Sequence, residues 1–352
     1  MFIPLYVEVG RMGLRGYIIK RVIYSLILVL FVITLNFIIF VMMPGSPIDR
    51  FAGSMKLRSQ EQYDELMRIW GLSGSLGERY TKYLANMFTW NFGHSFYGGK
   101  LVAIEMMERL SNTVLLMGTA TILSLIIGVA LGVLAAKKRG SLFDGTAVVA
   151  SLVTYSLPTF WMGLIALYIF YYRLGWFPGG GPFPVTWASS WPQPYEFNLL
   201  GTQVTIASTT EIAVRIWHLA LPAAVLTLFS YGGYLLLTRA TMLEALTEDY
   251  IVTARAKGLQ ERAVLFKHAL KNASLPLITS AALSFGFLLS GAIITETVFT
   301  WPGLGRWIWD AITNNNYPVM QAFFYITALT VIIANFIADL LYGIIDPRIK
   351  YG

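Results

Sequence analysis

The hydrophobic positions of this chain fall into long runs separated by polar segments. A helix needs about 20 predominantly apolar residues to cross the hydrocarbon core of a bilayer, and we identify about six runs of that kind. They cover residues 18–41, 113–136, 146–172, 217–237, 275–299 and 319–345. The pattern therefore predicts an all-α polytopic membrane protein with about six transmembrane helices.

The composition supports lipid as the solvent of this chain. Hydrophobic residues make up 56% of the sequence, charged residues only 13%, and the mean hydropathy is +0.61. A soluble domain carries about 25% charged residues, and one soluble core could not hide this much apolar surface. Four basic residues lie before or at the start of the first run: Arg11, Arg15, Lys20 and Arg21. Because that run is too long for a signal peptide and no cleavage pattern follows it, we expect a retained signal-anchor.

Lysine and arginine are concentrated in alternate connecting segments. Lys137, Lys138 and Arg139 follow the second run, and Arg348 and Lys350 follow the last. The segment between the fourth and fifth runs carries Arg239, Arg255, Lys257, Arg262, Lys267 and Lys271. Since cytoplasmic loops are enriched in these residues, we expect these segments and both termini to be cytoplasmic. Topology thus accounts for the net charge of +7, and we expect no nucleic-acid partner.

The two longer segments on the opposite side differ in texture. We expect residues 44–109 to form an extracytoplasmic helical insert, since apolar residues recur there at helical spacing. These are Leu66, Ile69 and Trp70, and then Tyr80, Tyr83, Leu84 and Met87. The outer loop 173–216 is rich in glycine, proline and aromatic residues, which favours irregular backbone at the membrane interface. The predicted organisation is an N-terminal segment with the first helix (1–43), the insert (44–109) and a core membrane domain (110–352).

The sequence carries none of the motifs of a catalytic site that we searched for. It has no cysteine, which excludes disulfides, thiol catalysis and thiolate metal sites, and its three histidines are scattered. The HExxH zinc motif, the GxSxG elbow and the GxxxxGK[ST] phosphate loop are all missing. We therefore expect no enzyme activity, metal or cofactor in this chain. If ATP drives its function, another chain must supply the ATPase.

A few polar residues inside or beside the predicted spans are candidates for a translocation path. Asp339 lies one helical turn after Asn335, and Glu296 lies near the outer end of the fifth span. Carboxylates within a membrane are costly and mark functional sites by default, although Asp339 could also be a structural partner. The fifth span adds Ser280, Ser284 and Ser290, and the second contains Gly128 and Gly132. Such small residues fit either a path lining or plain helix packing.

The inner loop 238–274 is too polar for a span and too regular for a linker. Thr247 or Asp249 could cap a short helix that Gly258 ends. Tyr250, Ile251 and Ala254 would share one face of this helix, with Arg255 and Lys257 on another. The helix could fill a groove on a partner protein, or the loop could be a solvated basic segment against lipid headgroups. Both interpretations remain open on physical grounds alone.

This loop also resembles a known family. The stretch 249–259, followed by His268, residues 269–273 and Pro276, is similar to the cytoplasmic "EAA" loop of binding-protein-dependent ABC permeases, in particular the B-type subunit of the dipeptide/oligopeptide branch. Val252, Thr253 and Ala254 stand where the general motif has Glu-Ala-Ala. The likeness extends over about residues 17–349, through segments 44–47, 91–95, 139–144, 156–160, 296–305, 339–343 and 346–348.

The resemblance implies a permease subunit of an ATP-driven importer for short peptides or oligosaccharides in a prokaryotic inner membrane. Its implied partners are a C-type permease that forms the other half of the pore, two cytoplasmic ATPases that carry ATP and Mg²⁺, and an external binding protein. It also implies an ATPase-coupling role for Asp249, Tyr250, Ala254, Arg255, Lys257 and Gly258, with Tyr250, Ala254 and Gly258 docking into the ATPase. The alternative function is a self-sufficient channel or ion-coupled secondary transporter.

Overall fold

The structure is a computed structural model, and it describes residues 14–41, 61, 74–188, 195–199, 202–206, 208–287 and 292–345. In the first half of the chain the helices are α1 (Leu14–Val41), α2 (Leu76–Phe88), α3 (Val102–Lys137), α4 (Leu142–Ser156) and α5 (Thr159–Ala166), which continues as a π-helical segment, Leu167–Arg173. A 3-10 turn at Val185–Ala188 precedes an antiparallel hairpin of β1 (Tyr195–Leu199) and β2 (Thr202–Ile206).

The second half of the described chain is helical. It contains α6 (Thr209–Ala245), α7 (Asp249–Ala256), α8 (Glu261–Ala263), a π-helical segment at Val264–Ala269, α9 (Leu270–Phe287), α10 (Ile293–Val298), α11 (Leu304–Thr313) and α12 (Tyr317–Ile345). The predicted all-α membrane class is thus confirmed. The hairpin is an addition that we did not expect in the outer loop, and it pairs Tyr195 with Ile206 and Leu199 with Thr202.

Four of the described helices are long and apolar enough to cross a bilayer: Ile18–Phe40 within α1, Val102–Lys137, Thr209–Ala245 and Tyr317–Ile337 within α12. A fifth span is possible if α4 and Thr159–Arg173 count as one, although they bend by 97°. The bend falls at Pro158, and the residue before a proline is driven out of helical geometry. The predicted run at 275–299 coincides with α9 and α10, separated by residues outside the described ranges, so the count of six stays a prediction.

The chain divides into two compact units. The first comprises residues 1–106, 282–287 and 311–352, where α1 packs along α12. Asn36 on α1 donates its side-chain amide to the carbonyl of Gln321 at 3.0 Å. The aromatic rings of Tyr80 and Tyr83 on α2 lie against Phe37 of α1. The helical spacing predicted from Tyr80 to Met87 is therefore present in α2, whereas Leu66, Ile69 and Trp70 lie outside the described residues.

The second unit comprises residues 107–281 and 288–310 and contains α4 to α8 with most of α3 and α9. Here α3 and α6 approach closely at the two glycines noted in the sequence. A Cβ atom added to Gly132 would lie 2.6 Å from Cβ of Thr238, and one added to Gly128 would lie 2.5 Å from Cβ of Tyr234. Only glycine fits at such separations, so Gly128 and Gly132 serve helix packing in this unit.

Candidate coupling and translocation sites

The predicted short helix of the inner loop is α7. Its N-cap is Glu248, between the two candidates suggested by the sequence, and the Glu248 side chain makes no capping bond. Asp249 is instead the first helical residue, where a carboxylate favours the helix dipole. Gly258 lies just beyond the C-terminal cap with φ +72° and donates its N–H to the carbonyl of Arg255 at 2.9 Å. The predicted glycine stop is therefore present, since this left-handed conformation favours glycine.

One face of α7 is buried in the second unit. Ile251 and Ala254 are fully or nearly fully buried, and the half-buried Tyr250 packs beside them. The surrounding cluster joins the ends of α3 and α6 to the π-helical segment 264–269 and to α9: Val133, Ala136, Met242, Ala245, Val264, Leu265, Ala269 and Ala273. Ala254, which we expected to dock into an ATPase, is only 5% exposed and is covered by residues of its own chain, so its coupling role stays a prediction.

The other face of α7 is exposed and partly apolar. Asp249, Val252, Thr253 and Ala256 share it by helical spacing, and Val252 is 61% exposed. Leu259, just past Gly258, is also an exposed apolar residue. The sequence analysis missed Val252 and Ala256 as surface residues, although their offset from Ile251 could have revealed them.

The charged residues of this loop are also exposed. Arg255 donates to the Glu261 carboxylate at 2.9 Å, and this hydrogen bond lowers the pKa of the Glu261 carboxyl from its usual value. Lys257 is exposed as well. Of the six residues predicted for coupling, Asp249, Arg255, Lys257 and Gly258 thus lie at the surface, Tyr250 is half-buried and Ala254 is internal.

Glu296 occupies a closed polar site. It has no exposed surface, and its carboxylate accepts from the Thr113 hydroxyl at 2.8 Å and from the N–H of Arg306 at 2.9 Å. The Thr113 hydroxyl in turn accepts from the N–H of Leu304 at 2.7 Å. Glu296 and Thr113 thus satisfy N–H groups in the first turn of α11, which have no partner within the helix. In this conformation Glu296 lines no open path.

The structure describes only some of the predicted path residues. Ser280 and Ser284 are half-buried on α9 but fall in different units, and Ser290 lies outside the described residues. Asn335 is exposed on α12. Asp339 lies on the same helix, but its side chain is outside the described part of the chain. The translocation role of this set therefore stays a prediction.

An ion pair that the sequence analysis did not identify lies near the coupling loop. Asp144, in the first turn of α4, is almost fully buried and accepts two hydrogen bonds from Arg239 of α6, at 2.6 and 2.8 Å. The N–H of Gly140 adds a third at 2.9 Å. The two residues are 95 positions apart, and the sequence pattern indicates only that Arg239 belongs to the basic inner loop.

Comparisons with known proteins agree with the fold. Residues 128–351 match the family model described as binding-protein-dependent transport system inner membrane component. The chain is 39% identical to the oligopeptide transport system permease protein AppB of Bacillus subtilis, over 96% of this chain and 100% of that protein. It is 39% identical to the di/tripeptide transport system permease protein DppB of Pseudomonas aeruginosa, over 90% and 93%. It is 38% identical to the dipeptide transport system permease protein DppB of Escherichia coli, over 88% and 91%.

Proposed function

Because the chain belongs to the family of binding-protein-dependent transport system inner membrane components, we propose that it is a permease subunit of an ATP-driven importer of peptides. The observation that carries this proposal is the similarity to AppB, which spans all of that protein and nearly all of this chain. The names of these relatives refer to oligopeptides, di/tripeptides and dipeptides, which favours peptides over oligosaccharides as the substrate of this chain.

In this proposal α7 is the helix that couples the permease to a cytoplasmic ATPase. Its buried face ties it to four other segments of the unit, so a displacement of α7 also displaces the helix ends around it. Its exposed face carries Val252 and Ala256, with Asp249 at one end and the basic residues Arg255 and Lys257 nearby. A rigid helix that presents a small apolar patch with a polar rim is suited to a groove on a partner protein.

We assign the other components of the importer to separate chains. A related C-type permease would complete the pore, two ATPases would hold ATP and Mg²⁺, and an external binding protein would deliver the peptide. Both termini and the loop containing α7 would face the cytoplasm. ATP-driven closure of the ATPases would then switch the helices between inward-open and outward-open arrangements.

The assembly can be tested by isolating the tagged chain from its native membranes in mild detergent and identifying the proteins that copurify. We expect a second permease and ATPase subunits, and we expect the Val252→Lys variant to lose the ATPases while retaining the second permease. An ammonium group on the exposed apolar patch would be desolvated without a partner. The Val252→Ile variant, which keeps an apolar β-branched side chain, is the control and should retain both.

The same preparation tests the transported substrate and the alternative function. In proteoliposomes with the binding protein outside and ATP inside, we expect uptake of labelled di- or oligopeptides, with no uptake of oligosaccharides. If the chain is recovered alone and an ion gradient by itself drives flux, the protein is a self-sufficient carrier and the proposal fails.

A further inference from the structure

The geometry of the Asp144–Arg239 ion pair fixes the relative orientation of the two side chains as well as the distance between them. The carboxylate receives Nε and one terminal nitrogen of Arg239 in a two-point contact. Such a fork-shaped pairing restricts the orientation of both side chains more than a single hydrogen bond does. The carboxylate is held from its own side as well by the Gly140 N–H. The first turn of α4 is thus anchored to one turn of α6.

From the ion pair toward the C-terminal end of α4, α4 and α6 run antiparallel in close contact. A Cβ atom added to Gly232 would lie 2.8 Å from the carbonyl oxygen of Ser151, so the two backbones touch there. Further along, the rings of Tyr155 and Phe229 stack with centroids 5.5 Å apart. Contacts at both ends and in the middle make α4 and α6 a single stiff pair, because packed helices resist sliding and bending.

Arg239 also lies next to the anchor of α7. It precedes Met242 by one helical turn, and Met242 is fully buried in the cluster that holds Ile251 of α7. The path from α7 to α4 therefore runs through the buried cluster, one turn of α6 and the ion pair. From α4 the chain continues through the 97° bend into α5, which itself packs on α6.

From these contacts we propose that Asp144 and Arg239 are positioning residues that make α4 and α5 follow the movement of α7. The inference rests on the proposed role of α7 and goes beyond it by naming the ion pair that transmits the movement from α6 to α4. Without the pair, α7 would still bind its partner and still move the end of α6, but the first turn of α4 would no longer be fixed to that end.

The test uses the whole complex, purified through the tagged chain and reconstituted with peptide-loaded binding protein. ATP hydrolysis and peptide uptake are measured on the same proteoliposomes and expressed as peptide transported per ATP hydrolysed. The informative variant is the double substitution Asp144→Asn with Arg239→Gln. It removes both charges together, so neither is left buried and unpaired as in the single substitutions.

We expect the double variant to assemble with the ATPases and to hydrolyse ATP, but to transport about 2- to 30-fold less peptide per ATP, the range found for residues that carry coupling between sites. Lys138→Gln, which removes an exposed charge from the same loop, is the matched control and should keep the wild-type ratio. Arg239→Lys keeps the charge but loses the two-point contact, and its ratio should fall between those of the wild type and the double variant.

The outcomes separate the two proposals. A wild-type preparation without ATPases overturns the role of α7 and with it this inference. If the wild type contains ATPases and the double variant keeps the wild-type ratio of peptide to ATP, the proposed role of α7 stands. The proposed role of the ion pair in transmitting its movement is then refuted. A double variant with an unchanged ratio but a lower yield of complex assigns the pair to folding alone.

Discussion

Single residues of this chain take their roles from the polar groups around them. Glu296 has the chemistry of a path residue in a membrane protein, since a carboxylate in that setting is costly. Its surroundings give it another role, because Thr113 and the N–H of Arg306 supply donors inside a closed site. Gly303 belongs to the same site, since any Cβ atom at that position would collide with the Glu296 carboxylate.

We predict that Glu296→Gln destabilises the protein without a specific effect on transport. The amide keeps the shape but replaces one charged acceptor with a donor that faces other donors, a loss of about 1.5–3 kcal/mol. Denaturant unfolding in detergent, followed by tryptophan fluorescence, measures the change. Glu108→Gln, on the exposed surface of α3, is the control and should stay within about 0.5 kcal/mol of the wild type. If the Glu296→Gln variant has unchanged stability but no longer takes up peptide, Glu296 acts in the translocation path.

At the scale of the element, α7 depends on its surroundings for its existence. A helix of eight residues is too short to be stable alone in water. Its capping is also weak, because the Glu248 side chain makes no capping bond. The buried cluster around Ile251 therefore supplies most of the stability of α7. The neighbouring side chain of Val252 contributes little to that packing because it points outward.

Ile251 faces the buried cluster and its neighbour Val252 faces outward. Substitutions at these two positions therefore separate packing from docking within one helix. We expect Ile251→Ala to destabilise α7 by about 2–5 kcal/mol, the usual cost of such a truncation in a packed core. Val252→Ala should change the local stability by less than about 0.5 kcal/mol. Hydrogen exchange of the α7 amides in the detergent-solubilised protein measures both changes. Equal loss of protection in the two variants would contradict the observed orientation of the helix.

At the scale of the whole molecule, the orientation in the membrane rests on the distribution of lysine and arginine. The basic segment after α3 and the loop that contains α7 are proposed on the cytoplasmic side. The aromatic loop that precedes the hairpin and the helix α2 are proposed on the outer side. The natural absence of cysteine makes this arrangement directly testable by chemical labelling.

Single cysteines at three exposed positions should report the two sides of the membrane. In intact cells with a permeable outer layer, we expect a membrane-impermeant maleimide to label Val185→Cys and Lys82→Cys. It should label Lys138→Cys only after the cytoplasmic membrane is disrupted. Labelling of Lys138→Cys but not of Val185→Cys in intact cells would show that the topology is inverted. If only Lys82→Cys stays unlabelled, the outer location of the insert is refuted and the rest of the topology stands.

The membrane class, the helical content, the family and the position of α7 with its glycine stop were all predictable from the sequence. These properties depend on composition, periodicity and local backbone preferences, which neighbouring residues carry. The third predicted span, 146–172, is expected to be continuous, whereas the structure breaks it at Pro158 with a bend of 97°.

The capping of α11 by Glu296 and the pairing of Asp144 with Arg239 became visible only in the folded structure. Thr113, which donates to the Glu296 carboxylate, lies 183 positions from Glu296, and Asp144 lies 95 positions from Arg239. The burial of Ala254 likewise depends on side chains contributed by other helices. Composition and local pattern carry no information about which distant groups meet, because that follows from how the helices pack together.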